Sequence, residues 1–506
     1  MSAAWVSGFV SIKRLSRYLI AAGRGLAVEQ RGNVLILTAA FLIPLLALIG
    51  SGIDIGRVYV ARSRIQQACD AASLAGRWAF SQGQATDTAT AEALKFFNFN
   101  FKQGSFGTAS FTPSVTVTGT NTKVVTVSAS TTLRLTIMGL FGFRPMTVAT
   151  TCTAEQNFVN TDIVLVLDTT GSMKDKATSS DTQTKIEGLR AAVLALFDQL
   201  APIQTQLAAA GMRMRFSVVP YSQTVNVGKL IYAVNTGYMR DPAPYRQKVC
   251  SSTGWNNNCN GYTYPATSVS HNASWFTNTW NGCIEERQTV STITASTSAI
   301  PAAAYDLDID RIPDSDTTRW VPYDGDAETA NSQEACPQAA KRLQSWARAD
   351  LVTYLNSLTP DGGTYHDIGM IWGARMISSA GVFADSPATY NSMPTNRFVI
   401  FMTDGLLSTN STLYSAYGME KYDQRVTGGD LSTQDARHHQ RFNLMCSAIK
   451  NRGVSIWVVA FASSLDTNLT NCASNAGQAS TSANSTDLTT KFVEIGKSIG
   501  AMRLTQ

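Results

Sequence analysis

The longest uninterrupted apolar stretch, Val34 to Ile53 (VLILTAAFLIPLLALIGSGI), runs about 20 residues without a charge. At ~1.5 Å per residue, a helix of that length crosses a hydrocarbon core of ~30 Å. Pro44 within it is tolerated in lipid-buried helices and can kink them. From Asp54 to Phe80 the apolar positions Val58, Val60, Ile65, Ala68, Ala72, Leu74 and Ala75 recur at helical spacing, which predicts that the helix continues beyond the membrane. Residues 110–155 switch to period two. Val115-Thr116-Val117, Val124-Val125-Thr126-Val127, Leu133-Arg134-Leu135 and Met146-Thr147-Val148 read as half-buried strands of a small sheet on which the helix packs.

From residue 156 the pattern alternates between strand and helix. Buried-strand runs fall at Ile163 to Leu167, Met214 to Val219, 397–403 and Val454 to Phe461; helical periodicity falls at Lys185 to Leu200, 339–358, 366–379, 436–451 and 488–502. That alternation predicts an α/β domain, a mostly parallel sheet with helices on both faces. Between about 225 and 336 the pattern breaks into a long insertion rich in Asn, Thr, Trp and Tyr, holding Trp255, Trp275, Trp280 and Trp320 with Cys250, Cys259, Cys283 and Cys336. Structureless loops of that length are foreign to compact domains, so a disulfide-stapled subdomain is expected near the strand ends. Its aromatics form either a small core of its own or a face that recognises a partner or carbohydrate.

Charge sharpens the membrane reading. The net charge is +5, but Lys13, Arg14, Arg17, Arg24 and Arg31 against Glu29 place +4 in the first 31 residues and leave about +1 for all the rest. A near-neutral body has no sequence-independent hold on phosphates, which argues against nucleic-acid binding. The positive-inside rule keeps the N-terminus cytoplasmic and exports residues beyond about 54. A cleaved signal peptide is the competing reading; against it, the apolar stretch exceeds a signal core of roughly 7–15 residues and lacks a small-x-small exit. All eight cysteines (Cys69, Cys152, Cys250, Cys259, Cys283, Cys336, Cys446, Cys472) lie beyond the span, as disulfides on an oxidising side require. Spacing does not fix their connectivity; Cys283 with Cys336 and Cys446 with Cys472 are the preferred pairs, and Cys69 with Cys152 can staple the long helix to its sheet. No C-x-x-C is present, which disfavours a zinc ribbon or a thioredoxin-like site.

Candidate chemistry begins where the first strand of the α/β region ends. Asp168-Thr169-Thr170-Gly171-Ser172 follows the run Ile163 to Leu167 and puts oxygens at i, i+2 and i+4, the spacing of a divalent-cation loop. Alone, the same residues make a capping turn. Two distant segments add oxygens: Asp361-Gly362-Gly363-Thr364 before a helical pattern, and Thr403-Asp404-Gly405 at the end of a buried run. Ligands of open parallel sheets bind beyond the carboxyl ends of the strands, so Asp168, Thr170, Ser172, Thr364 and Asp404 are expected on one rim around Mg²⁺ or Mn²⁺. This set resembles the metal-ion-dependent adhesion site (MIDAS) of von Willebrand factor A domains, a Rossmann-like fold, with Thr170 where that family usually has Ser. The exchange keeps the hydroxyl and adds a methyl. The resemblance implies that an acidic side chain of a protein partner completes the metal's shell.

Other signals are weaker. Asp306-x-Asp308-x-Asp310 opens like a calcium loop but fails at Arg311, where the turn needs Gly, and at Thr317, where a bidentate Glu belongs. His438-His439 is expected to be solvated on a polar helix face. G-x-S-x-G, H-E-x-x-H and G-x-x-x-x-G-K-[ST] are all missing, so no enzyme is expected. His366, two residues after Thr364, offers the single route to metal-assisted hydrolysis, and hydroxyl-rich sites hold catalytic metals poorly.

The segment RGNVLILTAAFLIPLLALIGSGIDIGRVYVARSRIQQACDAASLAG looks like the N-terminus of TadE/TadG-type proteins of bacterial tight-adherence (Tad/Flp) pilus assembly, and a C-terminal von Willebrand A domain on such an anchor resembles the TadG-like members. Gly282-Cys283-Ile284-Glu285-Glu286-Arg287 and Cys336-Pro337 also look like that family's middle region. The resemblance implies a single-pass bacterial inner-membrane protein that works with other pilus components, its C-terminal domain periplasmic or surface-facing. Gly32 lacks the Glu at the fifth following position that prepilin peptidases require, since Leu37 stands there, so the chain is expected to stay anchored. The domain plan is a basic tail (1–32), a transmembrane helix (33–54), a helix with a small β-rich region (55–155) and a von Willebrand A domain with its insertion (156–506). The function expected is pilus assembly or adhesion through a metal-mediated partner contact. The alternative is a periplasmic scaffold joining inner- and outer-membrane parts of the pilus machine, with metal only stabilising the fold.

Overall fold

The computed structural model describes residues 34–81, 85–119, 122–157, 159–323 and 335–502. The basic tail, Gly32 and part of the insertion lie outside the described residues. The chain forms two compact units, one built from residues up to Phe80 with Gln84–Gly119 and Lys123–Glu155, the other essentially from Gln156 onward.

In the first unit, helix α1 (Val34–Ser81) runs through Pro44 without interruption. Its most apolar window has a mean hydropathy of 2.3 and is only 6% buried, and among the described residues it is the one helix long and apolar enough to cross a membrane. Further along, Ile65, Ala68, Cys69, Ala72 and Ala79 turn inward against α2 (Thr86–Asn100) and a three-stranded sheet of β1 (Ser114–Thr118), β2 (Thr122–Leu133) and β3 (Met146–Asn157). Small side chains let the layers approach closely: a Cβ added at Gly76 would meet Val125 Cγ1 at 2.9 Å. A Cys69–Cys152 disulfide fastens α1 to β3.

The second unit is a doubly wound α/β domain. Its strands are β4 (Asn160–Asp168), β5 (Met214–Tyr221), β6 (Lys341–Gln344), β7 (Met393–Thr403), β8 (Ser455–Phe461) and β9 (Ala479–Ser482). They lie in the order β6-β5-β4-β7-β8-β9, with Thr389–Tyr390 pairing onto β7. Every pairing between neighbours in this order is parallel except that of edge strand β6. This is the 3-2-1-4-5-6 order, whose reversal point falls between β4 and β7. β4 is buried at all nine positions because both faces are covered. Ile163, Leu165 and Leu167 face α3 (Lys185–Ala209), α4 (Arg348–Asn356) and α7 (Ser485–Met502), while Val164 and Val166 face α5 (His366–Ile377) and α6 (Gln434–Lys450).

Several expectations change here. The helical reading of 339–358 splits into β6 and α4, because Lys341 pairs with Val218 and the Ser217 hydroxyl donates to the Lys341 carbonyl at 2.7 Å. Strand β9 (ASTS) is too short and polar to show a pattern. The aromatics of the insertion divide: Phe276, Trp280 and Trp320, with Ile284 and Ile293, join the same cluster as α5 and the sheet, while Tyr245 and Tyr323 belong to two small clusters of their own. Buried Glu286 accepts from Arg375 Nη1 at 2.8 Å and from the indole N–H groups of Trp372 at 2.5 Å and Trp320 at 3.3 Å, fastening the insertion to α5. Trp255 differs from the other insertion tryptophans, being 94% exposed. Cys250–Cys259, Cys283–Cys336 and Cys446–Cys472 are all bonded. His438 is buried, not solvated, with Nδ1 at 2.7 Å from Asp367 Oδ2. The Asp306–Asp310 triplet is spent elsewhere, Asp306 accepting from the Tyr417 hydroxyl and Asp310 pairing with Arg452.

Candidate metal-binding rim

β4 and β7 pair in register, Leu167 beside Met402, so Asp168 and Thr403 end neighbouring strands at the reversal point. There the crossovers leave to opposite faces and open a crevice. Asp168 Oδ1 accepts the Thr170 N–H at 2.9 Å, folding the loop back on its own carboxylate. Oδ2 lies 2.8 Å from the Thr403 hydroxyl and 3.3 Å from that of Tyr221. The Thr170 and Ser172 hydroxyls stand 3.1 Å apart, and Ser172 donates to Asp404 Oδ1 at 2.8 Å. Four of the five residues expected from sequence thus form one hydrogen-bonded chain.

The fifth, Thr364, enters through its backbone. The Gly171 N–H donates to the Gly362 carbonyl at 2.9 Å and the Asp361 N–H to the Thr169 carbonyl at 2.8 Å, which zips the second loop onto the first. The Ser408 N–H donates to the Thr364 carbonyl at 3.0 Å and ties in the third. Gly362 sits at φ +84°, and a Cβ there would overlap Gln223 Oε1, the acceptor that holds the Gly363 N–H.

Electrostatically the rim is under strain. Asp168 is fully buried and Asp404 is 3% exposed. Burial, and then the nearby Asp404 charge, push the Asp168 carboxyl up from 3.8 to about 7 against the pull of its Thr170 and Thr403 hydrogen bonds. His366 stands behind the rim with Nε2 at 3.0 Å from the Thr403 hydroxyl, and burial drives it down to about 4, so it is neutral at pH 7.

One residue went unforeseen. Lys185 opens α3 and places Nζ at 2.9 Å from Asp404 Oδ2, with its side chain 12% exposed. The sequence held a signal for it. A capping box, Thr184 with Glu187, fixes the helix start, and a lysine in a first turn opposes the helix macrodipole unless a carboxylate lies nearby.

Among the described residues no group of three or more His, Cys, Asp or Glu side chains converges. The rim offers two carboxylates and the hydroxyls of Thr170, Ser172 and Thr403, a hard-oxygen set suited to Mg²⁺ or Mn²⁺ and not to zinc. The charge excess of two buried carboxylates against one ammonium fits a further cation. A cleft of about 290 Å³, lined by Arg240, Arg246, Glu285 and Arg319 of the insertion and by Arg425 and its neighbours after the third rim loop, shares no residue with the rim.

Residues 32–89 match the family model described as "Putative Flp pilus-assembly TadE/G-like", so the chain carries a Tad-type segment at its N-terminus. No curated protein matches the chain. Among solved structures it is similar to the pilus adhesin SpaC of Lactobacillus rhamnosus GG, at 13% identity over 77% of this chain and 34% of that one, with a TM-score of 0.33. It is also similar to the vWF domain of the type V pili tip protein Mfa5 of Porphyromonas gingivalis (11% identity, 69% of this chain and 97% of that one, TM-score 0.31) and to the PilB minor pilin of Streptococcus sanguinis (10%, 77% and 77%, 0.33). The chain spans about a third of the length of SpaC. The strand order of the second unit, with the rim at its reversal point, is that of a doubly wound α/β domain.

Proposed function

We propose that this chain, with its Tad-type segment and its long apolar helix, is a membrane-anchored component of Flp pilus assembly or adhesion whose α/β domain binds a protein partner through Mg²⁺ or Mn²⁺. The observation that carries the reading is the meeting of Asp168, Thr170, Ser172 and Asp404 at the reversal point of the sheet, with the loop that carries Thr364 bonded onto theirs through its backbone. A bound divalent cation supplies an electrophilic centre for an incoming carboxylate, and a shell with few charged ligands keeps it so. The protein's part is to hold the oxygens still: Thr403 and Tyr221 orient Asp168, Ser172 orients Asp404, and the Gly171–Gly362 backbone bond locks the two loops together. We assign no catalytic step, since neutral His366 is engaged with Thr403 behind the rim.

Four disulfides and the basic tail support placing the folded regions outside the cytoplasm, with the bacterial inner membrane as the anchoring bilayer. The Lys185–Asp404 ion pair favours a second reading, in which the rim is partly neutralised from within and the protein is a structural scaffold between inner- and outer-membrane parts of the machine.

The test is calorimetric titration of Mg²⁺ and Mn²⁺ into the detergent-solubilised full chain, with thermal unfolding and capture of pilus components measured in parallel, beside Asp168→Ala and Asp404→Ala. Saturable binding lost in both variants, with EDTA-sensitive capture, is the outcome expected. Metal that raises stability while capture ignores EDTA moves the assignment to the scaffold, and no binding removes the metal altogether.

A further inference from the structure

The loop from β2 to β3 is apolar and projects outward. Leu140 is 86% exposed, Phe143 57%, Met146 44% and Phe141 43%. Four large apolar side chains within seven residues form a patch, unlike the scattered single exposures of ordinary surfaces. The root of the loop sits on α1: a Cβ added at Gly50 would overlap the Ile137 side chain, and Gly50 belongs to the charge-free span that ends at Ile53. The patch therefore lies level with the end of the membrane-crossing segment, within the same compact unit.

The backbone of this loop is prepared for a medium that cannot bond to it. Asp54, 1% exposed, accepts the N–H groups of Thr136, Ile137 and Met138 at 2.9, 3.0 and 2.8 Å. Those of Leu140, Gly142 and Phe143 are taken by the carbonyls of Ile137, Gly139 and Met138. Stranded amides are what exclude irregular chain from hydrocarbon, and here six are satisfied internally. The same bonds spend the one carboxylate at the boundary, which Arg57 approaches at 3.6 Å. Exposed Arg134 and Arg144 flank the tip, and guanidinium groups at the edge of an apolar patch suit anionic headgroups.

We propose that this loop is a second membrane anchor: residues 137–143 enter the headgroup–acyl boundary of the bilayer that α1 crosses, on the side of Asp54, with Leu140, Phe141 and Phe143 in the acyl region and Arg134 and Arg144 among the headgroups. The proposal rests on α1 spanning the membrane. It gives the first unit a fixed orientation on the bilayer, where a single helix would leave it free to swivel.

The experiment is spin-label accessibility on the full chain in phosphatidylcholine–phosphatidylglycerol vesicles, with the native cysteines left in their disulfides and single labels placed by Leu48→Cys, Arg134→Cys, Leu140→Cys and Phe143→Cys. Labels at 140 and 143 are expected to collide with oxygen several-fold more than with a nickel chelate, as at 48, and the label at 134 to show the reverse. If 48 reads as lipid while 140 and 143 read as water, the anchor is refuted and the spanning helix stands. If 48 also reads as water, the spanning reading fails and takes the anchor with it. Labels at 140 and 143 shielded from both reagents would mean that protein, not lipid, covers the loop, which also overturns the proposal.

Discussion

Replacing Lys185 by Met keeps the aliphatic stem and removes the ammonium that lies 2.9 Å from Asp404 Oδ2. The carboxylate left behind is fully buried as a side chain and faces Asp168, itself buried, so its charge loses its closest compensation. Removing one partner of a buried pair costs ~3–5 kcal/mol. The 12% exposure of Lys185 and the Ser172 hydroxyl still donating to Asp404 place this case near the lower end, at about 3 kcal/mol. Unfolding entropies of about 2.1 cal/mol/K per residue give the ~350 residues of the second unit about 0.7 kcal/mol/K, so Tm in EDTA should fall by about 4 °C. The response to metal separates the explanations. A ligand at 100 times its Kd stabilises by ~2.7 kcal/mol, and without the ammonium the Mg²⁺-induced rise in Tm should be larger in the variant than in the parent. The assay is differential scanning of the detergent-solubilised chain in EDTA and in Mg²⁺. An unchanged Tm in EDTA refutes the ion pair; an equal or smaller Mg²⁺ shift in Lys185→Met refutes the idea that ammonium and metal share Asp404.

The raised Asp168 carboxyl makes stability depend on pH: between the unfolded value of 3.8 and about 7 the native state binds the extra proton, so this contribution is full below 3.8 and is lost as pH rises through 7. Urea titrations in EDTA at several pH values should show that component vanish in Asp168→Asn, and Mg²⁺ should suppress it in the parent. Glu286→Ala strands Arg375 and two indole N–H groups beneath the insertion and should cost ~3–5 kcal/mol, with Glu286→Ala/Arg375→Met recovering part of the loss in a double-mutant cycle by urea unfolding. Cys283→Ala with Cys336→Ala opens a loop of 53 residues and should cost about 2–4 kcal/mol by the same measurement, while Asp168-dependent metal binding survives.

The alternation of apolar strand runs with helical periodicity made the α/β architecture readable, because the middle of a strand covered on both faces is filled by apolar side chains, as Ile163 to Leu167 fill β4. The rim was readable for a related reason. Asp168, Thr364 and Asp404 each follow a buried run or precede a helix, and chain topology alone carries such loop positions to the carboxyl edge of a parallel sheet. The long apolar helix announced itself through length and lack of charge.

What the sequence could not settle depended on partners remote in the chain. His438 reads as a polar surface residue until Asp367, 71 positions away, is seen at 2.7 Å, and nothing local to Glu286 shows that Trp320, Trp372 and Arg375 close around it. Lys185 joins Asp404 across 219 positions, and the apolar tip of residues 137–143 acquires its level on α1 only through Asp54 and Gly50. Local pattern determined the elements and their order, because periodicity and chain connectivity act over neighbouring residues. Tertiary structure alone decided which charges are compensated and which apolar loop stands exposed beside the end of the apolar span, because burial and electrostatic pairing depend on distance in space and leave no periodic trace along the chain.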